Sequence, residues 1–168
     1  VNDSIWSPNA ETNDYYYTKF YAQQPDLNWD SEEVFEEMFA VMKFRAELGV
    51  DGFRLDAAPH LIKREGTNCR SLPETHAVLK RLRARLEAEY PQVVLLAEAH
   101  ESIEDTKKFF GEGDECHMAY HFNLMEQMWL ALQKNEMLEV QNMIDVSASI
   151  PDNCAWAIFL RNHDEISL

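Results

Sequence analysis

Basic residues are scarce in this sequence of 168 residues, and their scarcity excludes two classes of partner. Lys and Arg number 15 against 30 Asp and Glu, so the formal net charge is −15. Nucleic acids and anionic membrane surfaces bind proteins largely through Lys and Arg. We therefore expect neither a nucleic-acid partner nor a membrane partner.

Long apolar runs and paired cysteines are also lacking. No stretch of about 18 uncharged apolar residues occurs, and the first residues lack the basic and apolar segments of a signal peptide. Cys69, Cys116 and Cys154 lie far apart without a CxxC pair, which argues against a disulfide framework or a zinc knuckle. These features predict free thiols in a cytoplasmic protein.

The residues that are present alternate between helical and strand patterns. Apolar residues make up 46% of the chain, enough for a folded core. Capping-box spacings at Asp30 and Glu33, and at Ser71 and Glu74, open two amphipathic segments, the first of which ends at Gly49. Further helical segments are predicted at 103–110 and 124–138, and short apolar strands at 50–56, 93–96, 117–122 and 155–160. This alternation indicates a parallel sheet covered by helices, as a doubly wound sheet or a (β/α)8 barrel.

Three of the four predicted strands are followed by a carboxylate, namely Asp56, Glu98 or Asp164. In both parallel architectures ligands bind at the carboxyl ends of the strands, so these side chains are expected at one rim. One carboxylate at a strand end, taken alone, would be explained as an ordinary loop residue or a helix cap. Arg54 shares a strand face with Asp56. It either forms a structural ion pair with this carboxylate or keeps it ionised as a nucleophile.

Two carboxylates in different surroundings suit glycoside chemistry, in which one attacks and the other transfers a proton. The run Val-Val-Leu-Leu-Ala before Glu98 predicts apolar surroundings, which suit a proton donor. The residues alone therefore make Asp56 the candidate nucleophile and Glu98 the candidate acid/base.

Four segments resemble ordered signature regions of the α-amylase superfamily of retaining glycosidases and transglycosylases, glycoside hydrolase family 13. They are Gln24-Pro-Asp-Leu-Asn28, Asp51-Gly-Phe-Arg-Leu-Asp56, Leu96-Ala-Glu98 and Arg161-Asn-His163-Asp164. The resemblance implies an α/β fold, a partial (β/α)8 TIM barrel holding about strands 4 to 7 in residues 30–168. Residues 1–29 would be the end of the excursion after barrel strand 3. The rest of the barrel and a C-terminal β-sandwich would be its intramolecular partners, since a whole barrel needs about 250 residues.

Within the superfamily the chain most resembles the enzymes that interconvert maltose and trehalose by glucosyl transfer. The resemblance then implies a disaccharide substrate, no organic cofactor, and a full-length protein that could form a homo-oligomer. It assigns catalysis to three carboxylates and substrate binding to three further side chains: Asp56, Glu98 and Asp164, then Arg54, His163 and Gln24. The alternatives are an α-glucosidase or α-amylase of the same superfamily, an inactive fragment, or a non-catalytic scaffold.

The resemblance also implies a structural calcium ion, held by the Asp26 carboxylate and the backbone carbonyls of His60 and Leu61. Lys63 departs from this pattern, because an acidic ligand is expected there. His100 is a second departure, since relatives commonly carry Asn and an aromatic-rich turn after the acid/base glutamate. An aromatic cluster near the start of the chain is either a sugar-stacking platform or loop packing: Tyr15, Tyr16, Tyr17, Phe20 and Tyr21.

Overall fold

The computed structural model of the chain describes residues 5–166, which begin with an antiparallel hairpin. Its strands are β1 (Trp6–Asn9) and β2 (Asp14–Tyr17). The ring of Trp6 packs edge-on against that of Tyr17, with 5.4 Å between the centroids. The amide of Asp26 donates to the Tyr17 carbonyl at 3.0 Å, so the loop after the hairpin folds back along β2.

Four short strands form one parallel sheet, in the order in which they follow each other along the chain. They are β3 (Gly52–Leu55), β4 (Val94–Ala97), β5 (Met118–Tyr120) and β6 (Ala155–Ala157). A doubly wound sheet reverses its strand order at a switch point, whereas a barrel adds successive strands side by side. The observed order therefore corresponds to a segment of a (β/α)8 barrel.

Helices connect the parallel strands and cover one face of the sheet. They are α1 (Glu32–Glu47), α2 (Pro73–Glu89), α3 (Ile103–Lys107), α4 (Phe122–Lys134) and α5 (Leu138–Ser147). No helix within residues 5–166 combines the length and the apolar character needed to cross a membrane. The helix predicted at 124–138 corresponds to α4, which ends earlier than expected because Asn135 adopts a left-handed conformation with φ +57°. The sequence did not predict α5 as a further helix.

The helix starts differ from the predicted capping boxes. Ser31, not Asp30, caps α1 by accepting the amide of Val34, and Asp30 instead forms a bidentate ion pair with Arg64. At α2 the cap is Leu72 with no side-chain bond, since Ser71 donates its hydroxyl to Glu101 across the fold. Both serine and aspartate can cap locally, but long-range partners decided which of them does.

The core lies between the helices and the outer face of the sheet. Leu95 and Ala97 of β4 are fully buried there with side chains from α1, α2 and the 3₁₀ turn that follows α3, including Phe35, Phe39, Leu79, Leu82, Leu86, Phe109 and Phe110. Side chains of a strand alternate between faces, so Leu96 points to the other face, in register with Arg54 and Met118. The apolar run of β4 is thus fully buried on one face only, and Val94 remains 36% exposed.

His121 caps α4 from within the core, where it accepts the amide of Leu124 through Nδ1 at 3.2 Å. Only 2% of this residue is exposed, and its ring packs against Trp156 with 4.3 Å between the centroids. Burial lowers the pKa of His121 to about 4. The side chain is therefore a neutral structural histidine at physiological pH.

Candidate active site

The three charged residues at the ends of β3 and β4 form one cluster, here termed the rim cluster: Arg54, Asp56 and Glu98. One guanidinium nitrogen of Arg54 lies 2.7 Å from Asp56 Oδ1, and the other lies 2.5 Å from Glu98 Oε1. Burial opposes the charge of Arg54, but its ion pairs with both carboxylates raise its pKa above the ordinary value. One guanidinium thus holds both predicted catalytic carboxylates.

The two carboxylates of the rim cluster differ in their exposure. The Asp56 side chain is 76% exposed, whereas that of Glu98 is 16% exposed. Glu98 is not in the apolar surroundings predicted from the run before it, because Oε2 accepts the amide of Ala57 at 3.1 Å and Oε1 faces Arg54. Leu95 and Ala97 of β4 point to the opposite, buried face, so sequence proximity misrepresented the environment of Glu98.

The turn after β3 supports this arrangement by packing onto the end of β4. Ala57 adopts φ +45°, a left-handed conformation that costs a residue with a Cβ roughly 1 kcal/mol. Its amide thereby points at Glu98, and the next amide, that of Ala58, donates to the Glu98 carbonyl at 3.2 Å. The strained backbone at Ala57 is compensated by these bonds, which fix the acid/base candidate relative to β3.

A cleft of about 580 Å³ opens at the carboxyl ends of the strands and brings the remaining predicted residues to the rim cluster. Gln24 enters it from the loop after the hairpin, and His163 and Asp164 enter it from the segment after β6. His163 Nε2 lies 3.0 Å from Asp164 Oδ2, and both side chains are about two-thirds exposed. Arg54 contacts both carboxylates but is not among the residues that line this cleft.

The cleft also contains residues that the sequence did not assign to it. His100 stacks on Phe122 with 4.4 Å between centroids and 8° between planes, and its two nitrogens lie 3.0 Å from Glu126 and 3.5 Å from Glu165. Arg70 borders the cleft and donates to the His100 carbonyl at 2.5 Å. The available signal was the position of His100 in the loop at the carboxyl end of β4, where ligands bind in parallel architectures.

The aromatic cluster near the start of the chain divides into two groups. Phe20 and Tyr21 line the cleft, and Phe20 also packs edge-on against His60 with 5.8 Å between the ring centroids. Tyr15, Tyr16 and Tyr17 belong to β2 instead. Phe20 and Tyr21 are therefore in a position to stack against a sugar, whereas the three tyrosines are part of the hairpin.

The expected calcium ligands do not surround an open position. The ammonium of Lys63 lies 2.8 Å from Asp26 Oδ1 and donates to the Leu61 carbonyl at 3.2 Å. A divalent ion between the same two oxygens would meet this positive charge at close range. The residues present therefore do not fit a calcium ion while Lys63 holds this position.

Comparisons with known proteins agree with this arrangement. A family model described as the catalytic domain of α-amylase matches residues 1–167. The chain is 46% identical over 172 residues to the trehalose synthase/amylase of Mycolicibacterium smegmatis, covering 100% of this chain and 29% of that relative. It is 49% identical over 166 residues to the trehalose synthase of Thermus thermophilus, covering 98% of this chain and 17% of the relative.

A solved structure of a trehalulose synthase variant in complex with Tris has a similar fold. The TM-score is 0.79 at 26% sequence identity, and the match covers 96% of this chain and 32% of that one. The chain thus spans less than a third of the length of the curated relatives described above.

Proposed function

Since the chain belongs to the α-amylase catalytic-domain family, we propose that it forms part of an enzyme that interconverts maltose and trehalose by retaining glucosyl transfer. The observation that carries this proposal is the single Arg54 guanidinium that contacts both Asp56 and Glu98. Retaining enzymes need two carboxyl groups close enough to flank one glycosidic bond. Support for the disaccharide comes from the trehalose synthase relatives.

The first half of the reaction forms a covalent glucosyl-enzyme. Asp56, the more exposed carboxylate, attacks the anomeric carbon of the non-reducing glucose. As that bond forms, the glycosidic bond breaks and Glu98 gives its proton to the leaving oxygen. Arg54 keeps Asp56 oriented, and the amide of Ala57 keeps Glu98 oriented.

The second half returns the glucosyl group to the retained glucose. Glu98 takes the proton of the anomeric hydroxyl of that glucose, whose oxygen attacks the glucosyl carbon and displaces Asp56. His163, Asp164 and Gln24 would bind the ring hydroxyls, since all three line the cleft around the carboxylates. Contacts of this kind accelerate the reaction only if they tighten as the ring flattens in the transition state.

The test is a product analysis of the complete natural protein that carries these residues. Incubated with maltose and followed by carbon NMR, it should give the anomeric signal of trehalose, and Asp56→Asn and Glu98→Gln should abolish it. Glucose without trehalose would instead indicate hydrolysis by an α-glucosidase or α-amylase. An Asp56→Asn protein with unchanged activity would establish a non-catalytic role for the rim.

The cellular setting is part of the same proposal. All three cysteines are free, and Cys154 Sγ lies 3.7 Å from the Cys116 carbonyl without a disulfide between the two residues. Such thiols persist where glutathione and thioredoxin keep them reduced, so we place the protein in the cytoplasm. Alkylation of native protein from cell extract, followed by mass spectrometry, should find no disulfide between Cys116 and Cys154.

A further inference from the structure

Lys63 makes three contacts in a site that links two distant parts of the chain. Its ammonium lies 2.8 Å from Asp26 Oδ1, 3.2 Å from the Leu61 carbonyl, and 5.3 Å from the centroid of the Tyr17 ring. Asp26 belongs to the loop after the hairpin, while Leu61 and Lys63 belong to the loop after β3. We term this arrangement the lysine site and define it by Lys63, Asp26 and the Leu61 carbonyl.

The lysine site is largely shielded from water. The side chain of Lys63 is 21% exposed and that of Asp26 is 16% exposed. The second oxygen of Asp26 accepts the amide of Lys19 at 2.8 Å, so both carboxylate oxygens have partners. Ion pairs on open surfaces contribute little, but a shielded pair with additional hydrogen bonds holds its geometry.

The chemistry of the site favours one monovalent charge. Calcium takes six to eight oxygen ligands, whereas the lysine site contains one carboxylate, Asp26, both of whose oxygens already have partners. An ammonium needs only about three acceptors, and an aromatic face can serve as one of them. Asp26, the Leu61 carbonyl and the Tyr17 ring supply that number.

We propose that the Lys63 ammonium takes the place of the calcium ion that the family resemblance implies, so that this chain joins its two loops without a divalent metal. The loop that Asp26 anchors also carries Phe20 and Gln24 into the cleft. Lys63 therefore acts as a positioning residue for that wall of the cleft. The proposal concerns stability and cation binding, so it can be tested without the reaction.

The experiment measures the melting temperature of the complete natural protein in EDTA and in calcium chloride. Unmodified protein should differ by less than about 1 °C between the two conditions. Lys63→Glu restores an acidic ligand and should melt lower in EDTA, then rise by about 5 °C in calcium. Terbium, used as a luminescent calcium probe, should bind Lys63→Glu and not the unmodified protein.

Lys43→Glu is the matched control, because it reverses the same charge at an exposed pair with Glu89. It should show no calcium response. If Lys63→Glu does not fold, Lys63→Gln removes the ammonium without reversing the charge. In EDTA this variant should melt at a lower temperature than the unmodified protein. A calcium-dependent melting temperature in unmodified protein, a foldable Lys63→Glu without a calcium response, or an unchanged Lys63→Gln would each overturn the proposal.

Discussion

The rim cluster and the lysine site both place one basic side chain between oxygen groups from distant segments, yet they leave those oxygens in different states. Arg54 contacts two carboxylates, and one of them, Asp56, remains 76% exposed. Lys63 contacts one carboxylate, Asp26, which is 16% exposed. A planar guanidinium can hold two carboxylates from one side, whereas an ammonium is a compact point charge around which acceptors gather. The first arrangement leaves a carboxylate accessible to substrate, and the second closes a junction.

The largest effect on activity is expected when Arg54 is replaced with Lys, which tests whether the rim cluster needs a guanidinium. The charge remains, but the two-nitrogen fork that orients Asp56 and Glu98 is lost. We expect the rate of trehalose formation to fall roughly 100-fold, while the melting temperature changes little. Initial rates measured by NMR check this. Arg85→Lys, at the exposed ion pair with Glu36, is the control and should keep the original rate. Equal rates for the two variants would show that the fork is dispensable.

Asp26→Asn tests the lysine site by removing the negative charge that faces Lys63. The amide keeps an oxygen for the Lys19 backbone but leaves the shielded Lys63 ammonium without its countercharge. We expect the free energy of unfolding in urea to fall by about 2 kcal/mol. Glu89→Gln removes the exposed partner of Lys43 and should cost at most about 1 kcal/mol. Equal losses would mean that shielding adds nothing to the lysine site.

When the two sites are compared at low pH, the loss of stability caused by protonation of His121 has to be measured separately. The pKa of His121 is lowered to about 4 from an ordinary 6.5, so its contribution is complete above pH 6.5 and is lost as the pH falls towards 4. Across that window we expect the free energy of unfolding to fall by roughly 3 kcal/mol through this group. His121→Asn keeps an acceptor for the Leu124 amide and should show a shallower fall. Parallel urea-unfolding curves for the two proteins would contradict this assignment.

The smallest effect is expected at the open side of the rim, at His100. Its contacts with Phe122, Glu126 and Glu165 suit a wall that retains the departing glucose. His100→Asn should raise the ratio of free glucose to trehalose about threefold, because a looser wall admits water. Tyr90→Phe, at the exposed contact with Glu47, is a control that should leave the ratio unchanged. A lower ratio in His100→Asn would show that His100 admits water instead of excluding it.

The sequence predicted the alternation of helices with short strands, the carboxylates at strand ends and the shared face of Arg54 and Asp56. Each of these follows from a local period, because strand side chains alternate and parallel strands end at one rim. It did not predict the caps of α1 and α2, the break at Asn135 or the polar surroundings of Glu98. The caps and the surroundings of Glu98 depend on partners far along the chain, such as Arg64 for Asp30 and Glu101 for Ser71. The break at Asn135 is instead local, since it follows from the left-handed backbone of that residue.

By itself, then, the sequence determined that this is an acidic α/β chain with Asp56 and Glu98 at neighbouring strand ends, since hydrophobic periodicity and strand alternation are local properties. The tertiary structure alone decided that one guanidinium serves both carboxylates, and that Lys63 lies against Asp26, 37 positions earlier in the chain. An ion pair of that kind exists only once the two loops are packed together. The physical reason is that charge acts over distances in space, and folding sets those distances.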